Sequence, residues 1–184
     1  LAKEVNRPYS ARAAGLRARI DAEKGFWWSK SNQVIYGITG LSQSVDWSLG
    51  DSECLANMLN ENKVSTIINS GGFKHWGNRT CSSDPKWQFE QTRRTADIIN
   101  DSIQTNHQWA VDMGITKTLF SDVTEGVNVY LRELKTLGAI LGGECWVDSD
   151  LNSSATIQKG YTYYDFDFAP VYPNEHMVIR SRIN

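Results

Sequence analysis

Few side chains in this chain have types and spacings that could do chemistry. Cys81 follows His75 by six residues. A nucleophilic cysteine needs a base within hydrogen-bond reach and a lowered pKa. Closeness in sequence supplies neither, so Cys81 is expected to be an inert thiol at the entrance to a helix. Asp165 and Asp167 are alternate residues of one strand and would stand about 7 Å apart on one face. That would suit a metal ion or the acid pair of a glycosidase, but a solvated strand face accounts for it more simply. His75, His107 and His176 share no helix-turn or Cys-x-x-Cys spacing with a partner, so no metal site is expected. Arg93-Arg94 with Trp87 could grip phosphate or stack on bases. Glu90 and Asp97 stand four residues from Arg94 and Arg93 respectively, which favours a helix surface with local ion pairs, a reading that leaves room for one arginine to pair with another subunit. Gly71-Gly72 lacks the downstream lysine of a phosphate loop. Trp27-Trp28 suits a core, although its place after a glycine keeps an interface role open. No cofactor is expected.

Composition narrows the classes further. A chain of 184 residues suits one domain with at most a small appendage. It can bury about 70% of its unfolded surface without a disulfide or metal. A formal charge of −2 argues against general nucleic-acid affinity. Three cysteines without paired spacing point to reduced thiols in a protein made in a cytoplasm. No run approaches the ~20 apolar residues of a membrane span, and no signal peptide opens the chain. It begins at Leu1 rather than Met, and is expected to be a piece of something longer. Seven tryptophans suit surfaces that pack on copies of themselves, and equally a large core.

The positioning elements follow from periodicity. Residues 9–24 read as a helix capped by Ser10, with Ala13, Leu16 and Ile20 inward, Arg12, Arg17, Arg19 and Lys24 outward, and Gly25 at its end. A short strand is expected over Val34 to Ile38. A helix over 51–61 should turn Leu55, Met58 and Leu59 inward. Val64 to Ile68 reads as a buried strand, followed by Gly71-Gly72 and another short strand. Asp84 and Pro85 signal a long helix with a stripe of Phe89, Ala96, Ile99, Ile103 and Ala110. Its other face, with Gln91, Arg94, Asp97, Asp101 and Gln108, should be wet. Ser121 should cap a helix bearing Val123, Val127, Tyr130, Leu131, Leu134 and Leu137, ended by Gly138. A central strand over Ala139 to Val147, kinked at Gly142-Gly143, comes next. Tyr164, Phe166 and Phe168 alternate with Asp165 and Asp167, and Met177, Ile179 and Ile183 alternate with Val178, Arg180 and Arg182, giving two late strands. The class is α/β of the mixed α+β kind, with a central mixed β-sheet flanked by helices. Two segments are expected, a helix and loop lead-in over 1–48 and the main domain over 49–184.

Several motifs are shared with a known family. Trp76-Gly77-Asn78-Arg79-Thr80, Ser83-Asp84-Pro85-Lys86-Trp87 and Arg93-Arg94-Thr95 are followed by Tyr130-Leu131-Arg132-Glu133-Leu134 and Gly138 to Gly143. Upstream stand Ala14-Gly15-Leu16-Arg17-Ala18-Arg19-Ile20-Asp21 and Gly25-Phe26-Trp27. Together, and in this order, they resemble the contractile tail sheath proteins of bacteriophages and R-type pyocins, in their C-terminal half. Lys30 departs from the pattern, which usually has proline there, and a looser turn is expected.

The resemblance implies a structural subunit, not an enzyme, that polymerises around a tail tube and contracts to drive it through a host envelope. The implied partners are copies of itself in a helical stack of hexameric rings, the tail tube protein, the baseplate and the tail terminator, with no nucleic acid and no membrane insertion. It would act in the virion tail after assembly in the host bacterial cytoplasm. The open edge of the sheet would be completed by strands from neighbouring subunits. The chain would lack its own arms, since family members run on past Asn184 for another strand. Arg93, Arg94, Arg132, Lys135, Tyr163, Asp165, Asp167, Arg180 and Arg182 are the interface candidates. Arg132 and Lys135 would face an acidic tube. The alternatives are a thiol- or carboxylate-dependent hydrolase built on Cys81 or on Asp165 and Asp167, and a host- or tube-binding module that does not polymerise.

Overall fold

The first helix, α1, runs over Tyr9–Lys24 in a computed structural model that describes residues 5–183. Pro8 precedes it and no side chain caps it, so Ser10 is a helical residue rather than the expected cap. Leu16 and Ile20 are buried as expected. Arg17 is buried too, against expectation. Its guanidinium donates to Asp21 Oδ1 (2.6 and 2.9 Å) and to the Trp28 carbonyl (2.8 Å), and that pairing is what lets the charge go inside. Gly25 ends the helix at φ 105°, a conformation that favours glycine.

The strand expected over Val34 to Ile38 reduces to a single bridge between Val34 and Lys74. Arg12 donates to the carbonyls of Tyr36 and Gly37 (3.4 and 3.1 Å), and Gly37 turns the chain at φ 73°. The next helix, α2, is Leu55–Glu61, shorter than 51–61. Asp46 accepts from Leu55 N (3.2 Å), and Asp51 accepts from Glu53 N (2.9 Å) in a turn ahead of the helix. Cys54 and Ala56 point inward, whereas Met58 is exposed. Strands β1 (Thr66–Asn69) and β2 (Phe73–Trp76) pair antiparallel across Gly71-Gly72. Val64 stays outside β1 and is exposed.

Asp84 caps as expected, accepting from Lys86 N (2.9 Å), but it opens only a 3-10 turn, Pro85–Trp87. The helix proper, α3, is Glu90–Asn106. Residues 88–90 are already committed: Thr80 N donates to Gln88 O and Glu90 N to Asn78 O (both 2.9 Å). Gln88 O and Glu90 N are therefore diverted from the bonds that a continuous helix would need. Phe89, Ala96 and Ile99 are buried, while Ala110 lies in a further 3-10 turn, Gln108–Ala110. Gln91, expected to be wet, is buried and accepts from Asn78 (3.2 Å).

Helix α4, Lys117–Thr136, is capped by Thr116, which accepts from Leu119 N (3.1 Å). Ser121 is interior. Val123, Val127, Leu131 and Leu134 are buried with Leu119, but Leu137 is exposed. Gly138 breaks the chain at φ 77°. Strand β3 (Ile140–Val147) packs along α4 and pairs antiparallel with β4 (Tyr164–Pro170), with a register shift between Ile140 and Gly142. A short helix, α5 (Ser154–Ile157), was not expected and is capped by Ser153.

The fold is thus α+β, as expected. Its strands form two separate antiparallel pairs, β1-β2 and β3-β4, rather than one central mixed sheet, so β3 has one partner and is not central. Met177 to Ile183, expected as a strand, has no strand pairing among the described residues. The chain divides into two compact units. One takes the residues through Arg93 and again from Tyr172, and the other is Arg94–Val171.

In the first unit, Leu16, Ile20 and Ile35 form one apolar cluster with Tyr9, Ile38 and Ile67 packed against it. Cys54, Ala56 and Ile68 form another with Val45, Trp47 and Trp76. Each large side chain so buried contributes about 1.5–3 kcal/mol. Between the α1 and β2 backbones lies His75, 1% exposed, with the Tyr9 hydroxyl bonded to Nδ1. Burial pushes the imidazole from its ordinary 6.5 down to about 4, helped by Lys30 and opposed by Glu90. Between those pH values the unfolded chain binds a proton that the folded chain refuses. Stability is therefore complete above pH 6.5 and falls as pH drops toward 4, by about 3 kcal/mol. Thermal melts across this window should show that loss in the parent and a flatter profile in His75→Gln.

Candidate interaction surface

The β3-β4 ribbon places side chains on two faces. Opposed pairs are Val147 and Tyr164, Trp146 and Asp165, Cys145 and Phe166, Glu144 and Asp167, and Gly143 and Phe168. Directly opposed residues share a face. Glu144, Trp146, Asp165 and Asp167 are exposed together. Cys145 on the other face is buried, and Tyr164, Phe166 and Phe168 are half-buried. Phe166 and Phe168 stack at 6.4 Å, and Tyr164 meets Phe120 of α4 at 5.7 Å. Glycine is required at position 143, because a Cβ there would meet the Asp167 carbonyl at 2.6 Å. The like-charged pair Glu144 and Asp167 is eased by Asp167 Oδ1 accepting from Glu144 N (3.1 Å).

Helix α4 reaches β3 with one polar side chain. Asn128 Nδ2 donates to Cys145 O (3.1 Å), and Cys145 N donates to Asn128 Oδ1 (2.8 Å). Burial raises the Cys145 thiol pKa, with Asp165 adding to it, which keeps that thiol protonated and unreactive. Tyr163, just before β4, is exposed, and its carbonyl accepts from Asn152 (2.7 Å). Asp165 and Asp167 lie open on the ribbon's outer face. Arg132 and Lys135 are exposed on α4, and Arg132 pairs with Glu125.

The segment from Tyr172 onward is tied down at its start. Arg79 Nε donates to Glu175 Oε1 (2.9 Å), the second arm of the same guanidinium meets Oε2, and Asn60 adds a contact to Oε1 (3.3 Å). This carboxylate raises the Arg79 pKa. Arg79 also lies over the Phe89 ring (5.4 Å), which meets Tyr172 at 6.3 Å. Beyond the anchor, Met177, Val178, Ile179 and Ile183 are exposed at 70, 67, 81 and 99%, with Arg180 and Arg182 exposed between them.

The remaining sequence candidates fall elsewhere. Arg93 is exposed and lies over Trp87 (5.2 Å), while Arg94 is half-buried. His75 and Cys81 are not brought together: His75 is buried on Tyr9, Cys81 is exposed, and no hydrogen bond joins them. Among the described residues no three His, Cys, Asp or Glu side chains gather as a metal site, and no helix is long and apolar enough to cross a membrane. Lys30, the departure from the shared motif, pairs with Glu90 (2.9 Å). Asn32 N donates to His75 O (2.7 Å), so the turn there is tied rather than loose. Sequence reasoning missed Glu175 and Asn128. Glu175 lies 96 residues from its arginine, and Asn128 sits in a helix where no local signal marks it.

Comparison with known proteins places these features in a context. Residues 82–184 match the family described as phage tail sheath C-terminal domain, and residues 2–81 match the phage tail sheath protein central domain. The tail sheath protein of Escherichia phage P2 is 46% identical over 174 residues, covering 95% of this chain and 44% of that protein. A prophage protein of Pseudomonas aeruginosa (strain UCBPP-PA14), described as a major tail sheath protein, is 48% identical over 176 residues, covering 96% and 46%. The chain therefore spans under half the length of these curated relatives. Among solved structures, a chain of the anti-feeding prophage baseplate, 6-fold symmetrised, superposes with a TM-score of 0.85 at 24% identity, covering 96% of this chain and 50% of that one. A sheath complex of an extracellular contractile injection system in the contracted state gives 0.85 at 19%, covering 98% and 52%. At those identities the likeness is one of fold.

The tail anchor can be measured. In a double-mutant cycle on Arg79→Ala and Glu175→Ala, the pair should show a coupling of about 1 kcal/mol, the range for a bidentate pair only partly shielded from water. Amide exchange should rise over residues 172–176 in either single variant.

Proposed function

The chain belongs to the phage tail sheath family, and from that premise we propose that it is the C-terminal part of a structural subunit of a contractile tail sheath. In this role it polymerises with copies of itself in rings around a tail tube, joins a baseplate at one end and a terminator at the other, and shortens to push the tube through a host envelope. Its place is the virion tail, built in the host cytoplasm. One observation carries the proposal. A single chain holds both an exposed apolar tail with no strand partner among the described residues and a two-stranded ribbon with edges to offer. Strand addition between copies would satisfy both at once. It would also let rigid bodies turn against one another without parting, as a sheath that changes length requires.

Within this reading Tyr163, Asp165 and Asp167 serve the accepting side and Arg180 and Arg182 the donating side. Arg93 and Arg94 border other copies, and Arg132 and Lys135 face the tube. No observation favours a hydrolase, since among the described residues no hydrogen bond joins a base to Cys81, and the two aspartates lie open.

Electron microscopy of the full-length protein should show hollow tubes, and removal of residues 174–184 should abolish them. Tubes that form as well without the tail would overturn the strand-exchange reading. Reversing charge at Arg132 and Lys135 should leave the tubes intact and weaken binding to purified tail tube. Unchanged binding would remove these two residues from the tube-facing surface.

A further inference from the structure

The first unit has an open sheet edge of its own. Asn32 N donates to His75 O, His75 N to Gln33 O and Ile35 N to Phe73 O (2.7, 3.0 and 2.8 Å). The bonded peptide groups of Phe73 and His75 therefore face the 32–35 segment and point away from β1. Their partners across the β1-β2 pair are Asn69 and Ile67. Opposed residues of an antiparallel pair share one phase, so the N–H and C=O of Ile67 and Asn69 face outward from β1. Among the described residues no hydrogen bond reaches those outward groups.

Beside that edge lies a groove of about 720 Å³. Ile67 lines it, with Tyr9 and Ile38 and also with Val45 and Leu59. Tyr9, Ile38 and Ile67 pack on the cluster of Leu16, Ile20 and Ile35, whereas Val45 packs on the cluster that contains Ile68. Successive strand residues point to opposite faces, so the two clusters cover the two faces of β1. The groove continues the plane of the sheet between these apolar layers. A strand lying in it must be apolar on both faces. Arg7 and Arg12 also line the groove, and no Asp or Glu among the described residues does, so the strand must not bring cations with it.

The same unit carries such a segment close by. Glu175 accepts from Asn60 (3.3 Å), the residue after Leu59 of the groove. Met177, Val178 and Ile179 follow, apolar in succession and all exposed. Met177 is two residues past Glu175, so its backbone stays within about 7 Å of that anchor. Val64 N donates to Leu59 O (2.8 Å), which puts Leu59 just ahead of β1. A tail that enters there runs along β1 in the same direction. Parallel bonds are slanted, so one residue bonds to the two that flank its opposite number. With Val178 opposite Ile67, Ile67 N donates to Met177 O and Ile67 O accepts from Ile179 N. Val178 then turns to the Tyr9 layer, and Met177 and Ile179 turn to the Val45 layer. Arg180 stays at the mouth, where Arg7 and Arg12 do not repel it.

We propose that the groove beside β1 is a binding site for residues 177–179 of the same chain, which lie there as a parallel strand before assembly. The exposed tail described above is the released form. A stowed tail is withheld from other copies, so the site regulates assembly. That purpose rests on the strand exchange proposed above, whereas the docking itself does not.

The test is amide exchange on the unassembled full-length protein. The rate at Ile67 N–H is read as a ratio to that at Ile68 N–H, which faces β2, so general loosening of the body cancels. In the parent the ratio should be low and unchanged on dilution. Val178→Lys sets a cation among apolar groups and near Arg12. That variant and the deletion of residues 174–184 should each raise the ratio about tenfold or more. Equal ratios in the parent and the deletion would overturn the stowed tail, whether or not tubes form. Protection lost on dilution would overturn it too, since the occupant would then be another copy. A ratio in Val178→Lys equal to the parent's would overturn the placement of 177–179 beside Ile67. If the deletion raises the ratio and still forms tubes, the docking stands and strand exchange between copies fails.

Discussion

A β-strand at the margin of a sheet must place its outward N–H and C=O groups somewhere, and a pair of strands has two such margins. Most of what is distinctive in this chain follows from that requirement. At Cys145 of β3 the problem is met internally, by the carboxamide of Asn128 from the helix packed along the strand. On β4 it is not met among the described residues. Gly143 serves the same end, since only a residue without Cβ lets the two backbones close up at that point.

The first unit meets a different need, which is to find partners for polar groups that go inside. Arg17 goes inward because Asp21 and a carbonyl receive its guanidinium. His75 goes inward as a neutral ring because Tyr9 meets it. Asn78 and Gln91 satisfy each other in part. The residues of the Trp76 to Thr80 motif are held by packing and hydrogen bonds. Trp76 meets Trp47 edge to face at 5.7 Å, Gly77 passes close over Ser65, and Thr80 donates to the Trp87 carbonyl at 2.6 Å. The motif that marks the family is therefore a joint rather than a reactive centre, and Arg79 is its one outward-reaching member.

Local signals in the sequence found α1, the end of α3's approach at Asp84, α4 and the alternation of β4, because each is written within a few residues. They misplaced what depends on distant partners. The helix from Pro85 is interrupted because Thr80 and Asn78 claim Gln88 O and Glu90 N, and no local pattern records that claim. The strand at Val34 dissolves because Arg12 takes two of its carbonyls. Arg17 and Gln91 looked solvated by type and are buried by pairing. On β4 the shared exposed face of Asp165 and Asp167 was legible from alternation alone, whereas the alternation around Arg180 and Arg182 predicted a strand that does not form. Asn128 and Glu175 were not, since each matters through a contact made far along the chain.

The Arg79–Glu175 clasp has a geometric corollary. Chain beyond a fixed point can extend no farther than its contour allows, about 3.3–3.6 Å per residue. Arg182 is seven residues past Glu175, so its backbone can lie at most about 23–25 Å from the clasp. Any body that Arg182 touches must come within that leash, whatever rotation or slide separates the two bodies.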